Sequence, residues 1–423
     1  MGPADDARLT PDLLVSYFLA GARAPAQWRV GMELEKMGRL AASGRPLPYD
    51  GEGPTVRAVL ETLHELRGGM PLTERGAIIG IEAPWGSITL EPGGQVEWSS
   101  APRRNLAELE QDLDDHLQAM DRTAERLGIA WLDVAVEPEL PLDEIPWMPK
   151  ARYRIMREYF RSRGRLAHRM MTQTASIQCA FDFADADDWA RKFRAAAYLS
   201  PVATALFANS SRIDGADSGY RSYRAAIWRE TDDDRCGLPA IVFDAGFGIE
   251  RWVDWVLDVP MLFQRSGDGL APPDGSSFRQ RIEGAEGERL TLEDWSTHCS
   301  SIFTEVRSYT YLEVRSADLQ PADRALAVPA FWTGLFYDDD ALEEALDCGA
   351  PFSEPRYWAE AMEAAARDGL EATISGRSLR ETTQRAFSAA IRGLRRGDCV
   401  GDLDRVLEPL DRLARHTGLE LPA

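Results

Sequence analysis

The sequence predicts an α+β protein built around an antiparallel sheet, and three observations point there. Four segments alternate between apolar and polar residues with a period of two, the mark of strands with one buried face and one wet or functional face. Helical stretches stand between them without a regular βαβ rhythm, which argues against a doubly wound parallel sheet. The chain has 423 residues, 44% of them hydrophobic, enough to bury a large core.

Taken in order, Thr10-Pro11-Asp12 reads as a helix start with Leu13, Leu14, Tyr17 and Phe18 along one side. Residues 54–67 and 103–127 read as helices, the second carrying the stripe Leu106, Leu109, Leu113, Leu117 and Met120. Residues 187–208 read as a helix interrupted or restarted at Pro201. The Gly-, Ser- and Pro-rich stretch from Gly267 to Glu288 reads as a loop. From about residue 354 to 423 the pattern is helical, with Trp358, Met362, Ala365 and Leu370 as one stripe. No polar linker divides the chain, so it reads as a single catalytic domain, 1–423, with a helical C-terminal segment.

The four strands carry chemistry on their polar sides. In Arg29–Lys36, Val30, Met32 and Leu34 oppose Gly31, Glu33 and Glu35. In Ser87–Ser100, a Pro-Gly-Gly turn separates two runs, and Val96 and Trp98 oppose Gln95, Glu97 and Ser99. In Ala175–Phe183, Ile177, Cys179, Phe181 and Phe183 oppose Ser176, Gln178, Ala180 and Asp182. In Tyr309–Ser316, Tyr311, Glu313 and Arg315 oppose Leu312 and Val314. Glu33 and Glu35 project to the same side, and Glu91 and Glu97 flank the glycine turn. Carboxylates clustered without Cys or His suit hard cations such as magnesium or manganese. The alternative is the solvated face of edge strands, which any one glutamate alone would fit. Glutamate is depleted in strand interiors, so its repetition on several strands favours the site.

Charge narrows the function further. With 48 Lys plus Arg against 69 Asp plus Glu, the net charge is −21, which argues against nucleic acid and anionic membrane as partners. No apolar run approaches transmembrane length, and the acidic N-terminal stretch does not read as a targeting peptide. The five cysteines, Cys179, Cys236, Cys299, Cys348 and Cys399, form no CxxC or Cys/His cluster and read as reduced thiols of a cytoplasmic protein. Within this acidic chain, residues 149–165 hold Lys150, Arg152, Arg154, Arg157, Arg161, Arg163 and Arg165. They read either as a pocket for phosphate or carboxylate or as a basic helix face paired with acidic neighbours, the latter being the reading for Arg161 to Arg165. The stretch 220–237, with Arg221, Arg224, Trp228 and Arg235, reads either as a substrate-binding loop or as a surface loop with local ion pairs. Walker, GxSxG and HExxH motifs are absent.

These residues carry a resemblance. VGMELEK at 30–36, ITLEPGGQVEWSSAP at 88–102, MPKARYRIMREYF at 148–160, IWRETDDDRCG at 227–237 and YLEVRSADLQPADRALAVPAFWTGLFYD at 311–338 resemble the plant and proteobacterial type of glutamate–cysteine ligase. The resemblance implies a glutamine-synthetase-like sheet funnel flanked by helices, with ATP as co-substrate and Mg2+ (or Mn2+) as cofactor. It implies ligation of the glutamate γ-carboxylate to the amine of cysteine through a γ-glutamyl phosphate. Glu33, Glu35, Glu91, Glu97 and Glu313 become the implied metal ligands, with Gln178 a further one. Arg152 and Arg224 are implied to hold glutamate's carboxylate and the phosphate, Arg315 to be another anion contact, and Lys150 and Arg235 to face the nucleotide. A cytoplasmic monomer or homodimer is expected. The sister readings are a ligase with another amine acceptor and a non-catalytic nucleotide-binding homologue. The chain departs from the family at Ala225-Ala226, where a histidine is frequent, and lacks counterparts of the plant regulatory cysteines.

Overall fold

A computed structural model of the chain describes residues 9–266, 269–284 and 290–422. Eight strands form its main sheet: β1 (Val30–Lys36), β2 (Met70–Glu74), β3 (Ala77–Ala83), β4 (Gly86–Leu90), β5 (Val96–Ser100), β6 (Ser176–Phe181), β7 (Val306–Ser308) and β8 (Leu312–Asp318). Their spatial order is β7-β8-β6-β1-β5-β4-β3-β2, and every pairing is antiparallel. The helices of the first half are α1 (Pro11–Leu19), α2 (Val56–Arg67), α3 (Leu106–Leu127), α4 (Ala151–Tyr159), α5 (Ala167–Gln173), α6 (Ala186–Leu206) and α7 (Tyr223–Arg229). The second half adds α8 (Ile249–Asp258), α9 (Phe278–Gly284), α10 (Leu292–Cys299), α11 (Ala327–Phe336), α12 (Asp339–Gly349), α13 (Pro355–Asp368), α14 (Leu379–Arg396) and α15 (Leu403–Thr417).

Capping sets several of the helix starts. The side chains of Thr10, Thr55 and Asn105 each accept a backbone N–H three residues ahead, which supplies an otherwise orphan donor at the first turn. The stripe expected of α3 is buried, with Leu117 only partly so. Val30, Met32, Leu34, Trp98, Ile177, Phe181, Leu312 and Val314 are buried on one side of the sheet. Against that side α3 stacks His116 on Trp98, with ring centroids 5.0 Å apart, and α11 sets Phe336 edge-on to Phe181. Buried residues from Leu9 to Leu419 belong to one contiguous core.

Three expectations need correction. The strand read at 309–316 begins at Leu312, because residues between Ser308 and Leu312 make the turn of the β7–β8 hairpin. Helix α6 runs unbroken through Pro201. Proline lacks the N–H that would bond the Ala197 carbonyl, and the Trp358 indole N–H donates to that carbonyl instead, at 2.8 Å. The stretch read as a loop at 267–288 holds a hairpin strand at Gly269–Ala271 and helix α9, while residues 267–268 and 285–288 lie outside the described residues. The C-terminal segment is helical as expected, apart from a small hairpin pairing Thr373–Ile374 with Arg377–Ser378.

Candidate active site

Register converts the polar alternation into rows across the sheet. Glu33 of β1 stands opposite Gln178 of β6 and Ser99 of β5, and Glu35 opposite Glu97. Glu313 of β8 is opposite Ala180. On β8 the ladder shifts between Val314 and Ala317, so Arg315 and Ser316 together face Gln178. That bulge changes parity along the strand: Glu313, Arg315 and then Asp318 lie on the polar side, while Ala317 joins the core.

A cavity of ≈ 320 Å³ lies over these rows, lined by Glu33, Glu35, Glu91, Glu97 and Gln178 from the sheet side and by Lys150, Arg152, Arg224 and Trp228 from α4, α7 and their flanks. The Pro92–Gly94 turn places Glu91. The Glu91 N–H donates to the Gln95 carbonyl at 2.9 Å, and Gln95 Nε2 donates to the carbonyls of Met171 (3.2 Å) and Thr174 (2.9 Å). Gly94 has φ +90°, and a Cβ on Gly93 would meet the Thr172 carbonyl oxygen at 2.2 Å, so the turn needs both glycines.

The acidic wall is short of positive charge. Burial, then repulsion from Glu313, pushes the Glu33 carboxyl up to about 8. Burial and the Glu91 charge push Glu35 to about 7, although it accepts from Ser176 N–H at 2.7 Å and from Gln178 Nε2 at 3.2 Å. Glu97 is held well above the usual carboxylate range by burial and by Glu33, Glu91 and Glu35. Oxygen donors that raise one another in this way fit hard divalent cations. Among the described residues no three His, Cys, Asp or Glu side chains are grouped as a ready-made metal cage.

Glu313 differs from the others. Burial raises its pKa, but Arg307 and Arg315 outweigh burial and hold it below the ordinary value. Arg307 forks both its oxygens at 2.8 and 3.1 Å, and Arg315 Nη1 donates to Oε2 at 2.8 Å. Arg315 also donates to Gln178 Oε1. In this structure Glu313 and Gln178 therefore serve arginines rather than presenting free ligand oxygens.

The cationic side is poised for an anion. Arg224 is 4% exposed; it donates to the Arg315 carbonyl at 2.9 Å and lies 3.8 Å from Asp318. Asp318 is fixed by Asn209 N–H (2.8 Å), Ser210 Oγ (2.7 Å) and Ser222 Oγ (2.9 Å). The buried Nε atoms of Arg224 and Arg152 have no hydrogen-bond partner, an arrangement that a bound carboxylate or phosphate would satisfy. Arg152 lies over the Phe263 ring at 5.0 Å. Lys150 Nζ donates to the Leu90 carbonyl at 3.1 Å and lies 3.0 Å from the Tyr153 hydroxyl, itself 3.1 Å from Glu91.

Arg235 is not brought to this cavity, contrary to its expected nucleotide role. It is fully buried elsewhere, bonded to Asp232 (2.8 Å), the Tyr159 hydroxyl (2.9 Å) and the Pro260 carbonyl (2.9 Å). Arg161, Arg163 and Arg165 pair with Glu158, Asp234 and Glu230, as expected of a basic face. Arg307 and Tyr153 were not anticipated. The signal for Arg307 was the hairpin: it sits six residues before Glu313 and directly opposite it.

An antiparallel sheet thus carries an acidic inner wall beneath arginine-bearing helices. The chain belongs to glutamate–cysteine ligase family 2 (GCS2), whose pattern matches residues 29–421. It is 41% identical over 343 residues to the chloroplastic glutamate–cysteine ligase B of Oryza sativa subsp. japonica, covering 80% of this chain and 68% of that one. It is 40% identical over 349 residues to the chloroplastic glutamate–cysteine ligase of Brassica juncea, covering 82% and 67%. In fold it is similar to a glutamate–cysteine ligase from Francisella tularensis in complex with AMP, with TM-score 0.53, 12% identity, and coverage of 92% of this chain and 82% of that one.

Proposed function

We propose that this chain joins the γ-carboxylate of glutamate to the amine of cysteine, with ATP as the phosphoryl donor and magnesium or manganese as the cation. The observation that carries the proposal is one cavity with an acidic wall of Glu33, Glu35, Glu91 and Glu97 facing Arg152 and Arg224, whose buried Nε atoms lack partners. A carboxylate is a poor electrophile, so amide formation requires its conversion to an acyl phosphate. Phosphoryl transfer depends on positioning and charge stabilisation more than on covalent catalysis.

The two arginines suit the anions on this path. Arg224, held by the Asp318 network, lines the cavity with a buried Nε that lacks a partner, and suits the substrate carboxylate or the acyl phosphate. Arg152 offers a second free donor from α4. Arg315, braced by Glu313 and Gln178, adds a third guanidinium, and Lys150 flanks Glu91 for the nucleotide. Glu33, Glu35, Glu91 and Glu97 would hold the cations. Magnesium commonly takes one or two carboxylates and completes its coordination with substrate phosphates and water. When bound, such cations neutralise phosphate charge. No enzyme-linked intermediate is required.

The unpaired cysteines suit a reducing compartment, and we propose the cytoplasm, which fractionation of the native cells tests. The activity is tested by following phosphate release with glutamate, ATP and a panel of amines. Cysteine should give the largest kcat/KM. Glutamate-dependent phosphate release that ignores cysteine but responds to another amine would replace the acceptor.

A further inference from the structure

We propose that Arg307 is a positioning residue for the ligation, acting through Glu313 on Arg315. The inference rests on the ligase reading. Arg307 sits on β7 directly opposite Glu313. Its Nε and Nη2 fork the two Glu313 oxygens, and its Nη1 lies 3.4 and 3.3 Å from the carbonyl oxygens of Ser300 and Ile302. The guanidinium lies 4.9 Å from the Tyr309 ring centroid, and the residue is 9% exposed. Every nitrogen of Arg307 is thus committed to protein, whereas Arg152 and Arg224 each keep a buried Nε without a partner. Arg307 borders the cavity with four of its five guanidinium N–H donors given to protein acceptors.

What its fork accomplishes lies next door. Arg315 occupies the bulge of β8, where the ladder to β6 is broken. Its backbone N–H bonds the Glu305 carbonyl at 3.1 Å, which carries the β7–β8 pairing one residue further. With the ladder to β6 interrupted there, the Arg315 side chain is aimed by Glu313 Oε2 and Gln178 Oε1, with its guanidinium 5.7 Å from the Trp228 ring centroid. Glu313 can brace Arg315 only while its own carboxylate is fixed, and the bidentate grip of Arg307 fixes it in plane and in rotation. Without the fork, a buried carboxylate with a single arginine is free to turn, and Arg315 turns with it. Displacement of an anion contact by about 1 Å is enough to cost on the order of 100-fold in rate.

The competing role for Arg307 is simple neutralisation of a buried carboxylate. Lysine keeps the charge but not the fork, so Arg307→Lys separates the two. The assay is phosphate release with glutamate, cysteine and ATP for wild type, Arg307→Lys and Arg307→Ala, alongside thermal unfolding. Arg307→Lys should keep its unfolding temperature near that of wild type and its glutamate KM within about twofold, while kcat falls by about tenfold or more. Arg307→Ala should lower kcat by about 100-fold. Full kcat in Arg307→Lys overturns the inference, because charge alone would then suffice, and so does a loss carried wholly by KM. An inactive wild type overturns the ligase reading and this inference together. An active wild type with an unaffected Lys variant overturns this inference alone.

Discussion

On β1, Leu34 is fully buried among apolar side chains, while its neighbours Glu33 and Glu35 lie against other carboxylates on the opposite face. The apolar face gains stability from burial, roughly 25 cal/mol for each Å² of apolar surface removed from water. The polar face loses stability by the same act, because burial disfavours the charged forms of Glu33, Glu35 and Glu97. One strand therefore carries a face selected for folding and a face selected against it. Such a face persists when a ligand uses it, and the contrast between the two predicts how neighbouring substitutions diverge.

The largest expected effect is at Glu33. Glu33→Gln should lower turnover by more than about 1000-fold, the scale of losing a principal electrostatic contact in a reaction of this kind. Near-wild-type activity at low magnesium would remove Glu33 from the cation site. The same substitution should stabilise the ligand-free protein at pH 8. Burial and the Glu313 charge push the folded Glu33 carboxyl up to about 8 from an ordinary 4.5. Between those values the folded state binds more protons than the unfolded state, so stability falls as pH rises. Glutamine does not titrate, and the excess of its unfolding temperature over wild type should grow from pH 5 to pH 8. An equal difference at both pH values would show that Glu33 is not held in a raised state.

One position along, Leu34→Ala should do the reverse. Emptying a fully buried leucine site costs about 2–5 kcal/mol, to be read as a lower denaturant midpoint, while the folded fraction keeps its glutamate KM. A Leu34→Ala protein of wild-type stability would mean that the apolar face does not carry the fold.

Two arginines of the 220–237 stretch sharpen the same contrast. Arg224→Ala should raise glutamate KM by about tenfold or more, the loss of one charge-assisted contact of about 1.5–3 kcal/mol. Arg235→Ala strands the buried Asp232 and should cost about 3–5 kcal/mol of stability. Its glutamate KM should stay unchanged, since Arg235 does not line the cavity. An exchange of those two phenotypes would reverse the assignment of the site.

This pair also shows what was legible in the sequence. Period-two alternation put Glu33, Glu35, Glu97 and Gln178 on one face because a strand cannot do otherwise. Arg224 and Arg235 have the same local signature, a basic residue among aromatics and acids. Only the path of the chain buries one over the cavity and the other beneath Pro260. Asp318 was invisible for a different reason. Simple alternation places it on the apolar side of β8, and the bulge at Arg315-Ser316 reverses that parity. Arg307 needed the hairpin register, which depends on a turn beginning after Ser308. Short-range periodicity is written in the chain, whereas a bulge or a cross-strand partner depends on long-range pairing.

The smallest expected effect concerns Pro201, where the sequence suggested a break and the structure has none. The Ala197 carbonyl lacks a helical donor and accepts the Trp358 indole at 2.8 Å. Trp358→Phe keeps most of the packing but leaves a buried carbonyl unpaired, which should cost about 1–3 kcal/mol. In a Pro201→Ala background residue 201 has an N–H to give that carbonyl, so the second loss should be smaller. The difference between the two costs is a coupling energy, expected to exceed about 0.5 kcal/mol in a double-mutant cycle measured by denaturant unfolding. Strict additivity would mean that the indole does not replace the missing helical bond, and that α6 tolerates Pro201 by bending alone.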